Sequence, residues 1–269
     1  MEQLKTTVGI IGAGSMGGAI ARGLVASGTV EASHVWVADP SPACREPLAQ
    51  LGINALERAR ELVDAGTEVV IIAVKPQILA DVMVPLADAL ADRLVVSIAA
   101  GVPLGTLQEL LPSSQVVRVM PNLPIQVLSG ATAIAPGDRA TAQQVELVRC
   151  LFAALGSAQI MREDQLDAEG AVVSCGPAYI ALFVDALTRA GVRSGLPASA
   201  CREMVEATML GVAKTLLQSG EHPRAYMERV TSPGGTTAAG LYELEPLLVE
   251  GAYAAVDGAL ERTAELANG

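Results

Sequence analysis

Histidine is almost missing from this chain: 269 residues hold two, His34 and His222. That leaves no histidine-based metal centre and no obvious histidine acid. Basic residues are also scarce, with 18 Lys and Arg against 29 Asp and Glu and a net charge of -11. Such a chain is not expected to take nucleic acid or an anionic membrane as its main partner. Cys44, Cys150, Cys175 and Cys201 are widely spaced with no C-x-x-C pair. They read as reduced thiols, so neither a disulfide framework nor a bound metal is expected. Aromatics supply only 3% of the residues, so the core must come from Ala, Val, Leu and Ile. No apolar run is long. Ala171 to Val184 is interrupted by Asp185 and is too short for a membrane helix. No basic, apolar leader opens the sequence, and the expected location is cytoplasmic.

What the chain does have is a glycine turn. The apolar run Thr7 to Ile11 reads as a buried strand. Gly12-Ala13-Gly14-Ser15-Met16-Gly17 follows in G-x-G-x-x-G spacing, and a helix opens behind it through Leu24. Gly12 permits the tight turn, Gly14 lets a pyrophosphate approach bare backbone, and Gly17 lets helix and strand pack closely. The amides opening that helix favour a phosphate. Strand before and helix after point to dinucleotide binding; the alternative is a glycine-rich turn that binds nothing.

Alternating strands and helices follow. His34 to Ala38 is the second strand, and Asp39 ends it about twenty residues past Gly17, where a dinucleotide fold meets the adenosine ribose. An acid there bonds the ribose hydroxyl of NAD and repels the 2′-phosphate of NADP, although Ser41 and neighbouring amides can still hold a phosphate. Equally, Asp39 opens a turn and caps a helix from Pro42 to Leu51. Glu57 to Asp64 reads as a helix. Glu68 to Val74 is a strand buried on both faces, as in a parallel sheet. It ends in Ala73-Val74-Lys75-Pro76, which places Lys75 either toward a cofactor or simply in solvent. Strands Leu94 to Ala99 and Gln115 to Met120 come next. The second ends in Met120-Pro121-Asn122-Leu123-Pro124, where Asn122 either bonds a carboxamide or only makes the turn. Gly130 to Ala135 and Ala158 to Met161 read as edge strands, with a helix at about Ala140 to Leu155 between them.

The alternation stops near Arg162. The expected fold is α/β: residues 1–162 form a Rossmann-like parallel-sheet domain that binds a dinucleotide, and 163–269 an all-helical dimerisation and substrate domain. Glu163 to Arg193 is one long helical pattern carrying Gly176-Pro177, where the proline kinks or restarts the helix. Further helices are expected at Pro197 to Ser219, Pro223 to Arg229, Thr236 to Leu244 and Glu250 to Ala267. Ala171 to Val184 is apolar nearly all round and needs burial on every side. A second copy of the chain is its natural cover.

One loop stands out in the helical half: Val230-Thr231-Ser232-Pro233-Gly234-Gly235-Thr236-Thr237-Ala238. Two glycines expose amides where a helix begins, and four hydroxyls crowd around them. This suits a carboxylate or a phosphate; it is richer than an N-cap requires.

That run resembles the signature of the pyrroline-5-carboxylate reductases, which reduce the cyclic imine 1-pyrroline-5-carboxylate to L-proline with NADPH or NADH in the last step of proline biosynthesis. The glycine turn, Ala73-Val74-Lys75-Pro76-Gln77 and Met120-Pro121-Asn122-Leu123-Pro124 match in order and spacing, so the resemblance covers nearly the whole chain. It implies a Rossmann domain, a helical domain interlocked with a partner into a homodimer, and often a decamer. It also implies that Ser232, Pro233, Gly234, Gly235, Thr236 and Thr237 hold the substrate carboxylate on backbone amides, and that Thr237 reaches the ring-nitrogen region. The chain departs from the family's usual S-G-S-G-P-A-Y, reading Val173-Ser174-Cys175-Gly176-Pro177-Ala178-Tyr179. The resemblance implies that this helix borders the active site and so sets Cys175 beside the substrate. Ser15 replaces a common Asn, and Asp39-Pro40 replaces a common Asn-Arg.

Imine reduction asks little of side chains: the cofactor carries the hydride, and the protein positions the substrate and supplies electrostatics. His34, before a strand, and His222, at a helix start, read as structural. Thr237 or a water is left as the candidate for any proton transfer. Two other functions remain: reduction of a different small cyclic imine or imino acid on the same scaffold, and a non-catalytic dinucleotide-binding assembly protein.

Overall fold

The computed structural model describes residues 3–268. Short runs of Val and Ile build its central sheet. β1 (Val8–Ile11) leads through the glycine turn into α1 (Ser15–Ala26). β2 (Val35–Ala38), α2 (Pro42–Ala49), β3 (Asn54–Leu56), α3 (Ala59–Asp64), β4 (Val69–Ile72) and α4 (Pro76–Met83) continue the alternation. Pro42 and Pro76 each occupy the first helical position, where the missing N–H costs nothing. β5 (Leu94–Ser97), α5 (Leu104–Leu110), β6 (Gln115–Pro121), β7 (Gly130–Pro136), α6 (Ala142–Ala153) and β8 (Gly156–Ile160) complete it.

The strand order is β3-β2-β1-β4-β5-β6-β7-β8, parallel throughout except for the antiparallel β6–β7 pair. The order reverses between β1 and β4, which pair residue for residue from Val8 with Val69 to Ile11 with Ile72. At such a switch point the strands' carboxyl ends open a crevice for ligands. Both faces of the sheet are covered. Ile10, Ile71 and Val117 pack on one side with Ile20, Leu24 and Phe152; Ile11, Ile72 and Val95 pack on the other with Leu62, Met83 and Leu107. Each such fully buried side chain contributes about 1.5–3 kcal/mol.

Three expectations need correcting. β7 is not an edge strand: it lies between β6 and β8, and the edges are β3 and β8. Its small residues suggested an edge, but Ala133, Ile134 and Ala135 are wholly covered. β3, too short to show a period, was not foreseen and pairs with β2. The expected last two helices are a single one, α11 (Thr236–Asn268), with Pro246 inside. A proline removes one helical hydrogen bond and clashes one turn back, but Leu and Glu on both sides favour helix enough to carry it through.

Beyond β8 the chain is helical. α7 (Leu166–Glu169) passes through a π turn at Gly170–Ser174 into α8 (Gly176–Arg193). α9 (Ala198–Ser219), α10 (Pro223–Arg229) and α11 follow. The chain divides into two compact units, one running through Ser174 and including the stretch from Leu260, the other from Cys175 to Ala259. Within the second, α8 packs on α9 where Gly191 meets Cys201; a Cβ on Gly191 would collide with the Cys201 sulfur. No residue of α8 is buried in the single chain. The stretch Glu163–Arg193 is also long and apolar enough to cross a membrane by length and composition, because helix continues past both ends of the apolar run 171–184.

Candidate functional site

The glycine turn has the shape its spacing calls for. Gly12 has φ +96°, which an L side chain rarely adopts, and a Cβ there would lie 2.7 Å from the Ala73 carbonyl oxygen. A Cβ on Gly17 would strike the Gly12 carbonyl oxygen, so only glycine lets α1 approach β1 this closely. Gly14, the N-cap of α1, faces open space, with nothing within 4 Å of its notional Cβ. Ser15, Met16 and Gly17 lie in the first turn of α1, where amides have no helical carbonyl to bond. Open room, orphan amides and the positive end of a helix dipole fit a pyrophosphate. These residues can therefore hold a dinucleotide.

Asp39 sits at the end of β2, tied into this turn. Its Oδ2 accepts the Ala13 N–H at 2.8 Å and its Oδ1 accepts the Ser41 N–H at 2.8 Å. The first bond was not anticipated; the second is the local turn that was. It does not cap α2, whose N-cap is Ser41 with no side-chain cap bond. Arg45, one turn into α2, folds back so that its guanidinium donates to the carbonyls of Asp39 and Pro40 at 3.1 and 2.9 Å. No sequence signal marks Arg45, because its partners are backbone oxygens.

Ala73 and Val74 leave the end of β4 half-buried, and Lys75 and Pro76 are exposed at the start of α4. Asn122, at the end of β6, is buried and its amide is in use: Nδ2 donates to the Val173 carbonyl at 3.1 Å, and Oδ1 accepts the Ala131 N–H at 2.8 Å. The turn role is therefore filled, and one amide hydrogen remains for any ligand.

Two buried charged groups lie nearby in the first unit. Arg118 of β6, with a side chain only 4% exposed, donates to Glu163 at 3.2 Å and Asp167 at 3.1 Å. It clasps β6 to the start of the helical segment. Glu169, the last residue of α7, is buried with Ser174 as its hydrogen-bonding partner at 3.4 Å. Burial pushes its carboxyl up to about 7, and the Ser174 bond opposes this only in part. Its position as the last acid before the apolar run 171–184 was its sequence signal. In the second unit Cys175 is exposed, and burial with the neighbouring Cys175 thiol pushes the Tyr179 hydroxyl up. His222 caps α10 by accepting the Arg224 N–H at 3.2 Å, and His34 lies in a short turn before β2. His222 thus has a structural role as a helix cap.

The signature loop joins α10 to α11. Gly234 has φ +69°, a left-handed value that favours glycine. The Gly235 N–H donates to the Ser232 carbonyl at 3.0 Å, so that amide is consumed by the turn. The first-turn amides of Thr236, Thr237 and Ala238 have no helical carbonyl to bond. Ser232, Pro233 and Gly234 are exposed, as are Thr236 and Thr237. Thr231 is half-buried, its hydroxyl donating to the Met227 carbonyl at 2.6 Å. Thr231 thus anchors the loop, and the hydroxyls of Ser232, Thr236 and Thr237 remain at the surface.

Comparison with known proteins matches two family models: pyrroline-5-carboxylate reductase dimerisation over residues 163–266, and NADP oxidoreductase, coenzyme F420-dependent, over residues 7–101. A pyrroline-5-carboxylate reductase from Pisum sativum is 39% identical over 240 residues, 89% of this chain and 88% of that protein. Among solved structures, a pyrroline-5-carboxylate reductase from Coxiella burnetii superposes with TM-score 0.92 at 31% identity, covering 98% of this chain and 99% of that one. A pyrroline carboxylate reductase from Plasmodium falciparum with NADP bound superposes with TM-score 0.88 at 27% identity, covering 99% and 100%.

Proposed function

The chain belongs to the pyrroline-5-carboxylate reductase family, and on that premise we propose how its residues share the work. It is an NAD(P)H-dependent oxidoreductase that reduces 1-pyrroline-5-carboxylate to L-proline. A bound nicotinamide supplies the hydride, and the chain's own residues bind and orient. Gly12, Gly14 and the amides of Ser15, Met16 and Gly17 hold the pyrophosphate; Ala13, Asp39 and Ser41 meet the adenosine ribose. Ala73, Val74, Lys75, Pro76 and Asn122 line the strand ends toward the nicotinamide.

The observation that carries the substrate assignment is the start of α11. Free amides at Thr236, Thr237 and Ala238, the dipole of a long helix and the surface hydroxyls of Ser232 and Thr237 form a receptor for one carboxylate. With Gly235 N–H committed to Ser232, the carboxylate goes to the helical amides rather than to Gly235. Anchoring the carboxylate fixes the imine carbon for attack, an orientation effect. Thr237 holds the ring nitrogen; the imine is taken as the protonated iminium, hydride adds to its carbon and the C=N π pair returns to nitrogen, so no strong acid is needed beside it. Cys175 borders the substrate.

We assign residues 1–162 to dinucleotide binding and 163–269 to dimerisation and substrate binding. Support for a homodimer comes from the dimerisation match and from the exposed Ile180, Leu182, Met204, Leu210 and Leu217 on α8 and α9. We assign the apolar stretch Glu163–Arg193 to that interface rather than to a membrane. Further assembly into a decamer and a cytoplasmic location complete the reading; the four free cysteines fit a reducing compartment.

The test is cofactor oxidation with 1-pyrroline-5-carboxylate and, in parallel, with 1-pyrroline, which lacks the carboxylate. The carboxylated imine is turned over and the bare one falls by about 100-fold or more in kcat/KM. Equal rates would refute the carboxylate receptor.

A further inference from the structure

We propose that Asp39 is a built-in anion at the adenosine end of the dinucleotide site and that it makes this chain prefer NADH to NADPH. The inference rests on the cofactor half of the reading above and not on the identity of the imine.

NADPH differs from NADH by a phosphate on the 2′-oxygen of the adenosine ribose. A protein accepts that group by offering it cations or unpaired amides. In a dinucleotide fold the ribose falls at the end of the second strand, which here is Asp39. Two amides, that of Ala13 in the glycine turn and that of Ser41 in the following loop, both donate to the Asp39 carboxylate at 2.8 Å. Together they are a pair of donors suited to an anion, and the chain satisfies them with its own carboxylate. An incoming phosphate meets a carboxylate where it needs donors, and the repulsion acts at close range.

The nearby cation does not reverse this. One nitrogen of Arg45 donates to the Asp39 and Pro40 carbonyls. Its other terminal nitrogen lies 3.8 Å from the Glu57 carboxylate, itself 67% exposed. The guanidinium is therefore engaged in bracing the loop that presents Asp39, and its charge is offset by Glu57. Asp39 and Glu57 together outnumber Arg45.

A 2′-hydroxyl fares differently. Each carboxylate oxygen of Asp39 accepts one amide bond and keeps a second lone pair. A ribose hydroxyl can donate to that lone pair without disturbing the Ala13 or Ser41 bond. The arrangement thus adds an acceptor for NADH and a like charge against NADPH, two contributions of the same sign. Arg45 serves as a positioning residue that holds the loop.

The experiment measures nucleotide affinity by calorimetry on the full chain without imine substrate. NADH and NADPH are titrated into wild type, Asp39→Ser and Arg45→Gln, with thermal unfolding as the check on folding. Wild type binds NADH at least about 10-fold more tightly than NADPH. Asp39→Ser frees both amides and shifts the affinity ratio toward NADPH by about 10-fold or more. Arg45→Gln does not weaken NADPH selectively. Tighter NADPH binding by wild type, an unchanged ratio in Asp39→Ser, or a selective loss of NADPH in Arg45→Gln would each overturn the proposal. If Asp39→Ser does not fold, wild type and Arg45→Gln still decide. Because no imine is present, failure here leaves the reductase assignment standing, and absence of turnover with 1-pyrroline-5-carboxylate leaves this ratio intact.

Discussion

The side-chain amide of Asn122 donates to the backbone carbonyl of Val173 at 3.1 Å, and so joins the end of β6 to the π turn that follows α7. The same amide accepts from Ala131 at 2.8 Å. A residue expected either to contact nicotinamide or to make a turn thus fixes three backbone segments. Asn122→Ala leaves a buried N–H and a carbonyl without partners. We expect it to lower unfolding stability by about 1–3 kcal/mol, measured by denaturant titration. A change within about 0.5 kcal/mol would mean that water replaces both bonds.

Thr237→Ala tests the role of the first turn of α11. Its hydroxyl is exposed there and belongs to the proposed receptor. The expected loss in kcat/KM is about 100-fold, the usual scale for removing one well-placed donor. Ser219→Ala removes a hydroxyl that only accepts the Glu221 N–H, and should leave kcat/KM within about 3-fold. Equal effects would remove Thr237 from the site.

Glu169 gives a pH signature. Its carboxyl is raised from 4.5 to about 7 by burial, so the folded chain holds this proton more tightly than the unfolded chain does. Its contribution is fully present below about 4.5 and is lost as pH rises through about 7. Glu169→Gln should therefore be more stable than wild type at pH 8, by about 1–2 kcal/mol. The gain should fade by pH 5. Equal stability of the two proteins at pH 8 would mean that Glu169 pays no burial cost when ionised.

Association should be visible in solution. A mass of at least two subunits of 27.6 kDa is expected by sedimentation equilibrium. Leu182, 65% exposed on α8 in the single chain, is a natural interface residue. Leu182→Glu should shift the protein toward monomer and make its thermal midpoint fall on dilution. A monodisperse wild-type monomer would contradict the assigned role of α8.

Much of this architecture was legible because it depends on local patterns. Glycine spacing marked the turn from Gly12 to Gly17, Val and Ile runs marked β1, β4 and β5, and Gly176-Pro177 marked the point where the helix restarts as α8. What stayed hidden depends on tertiary context. Whether a strand lies at an edge is decided by its neighbours, so β7 could not be placed from its own residues. Pro246 reads as a break until the surrounding helix formers prevail. The Asp39 bond to Ala13, the Arg118 clasp and the Asn122 bond to Val173 each span from 26 to 51 residues of sequence, and no short motif encodes such a distance. The signature loop stands out in the sequence as a candidate receptor, yet only the structure shows that Gly235 spends its amide on Ser232.

The most direct test of the account is to run the reaction with NADH or NADPH carrying deuterium at the transferred C4 position and to analyse the product by mass spectrometry and NMR. The account predicts L-proline with one deuterium on the ring carbon that was double-bonded to nitrogen. Unlabelled proline, or no proline from a folded chain that still binds the cofactor, would contradict it.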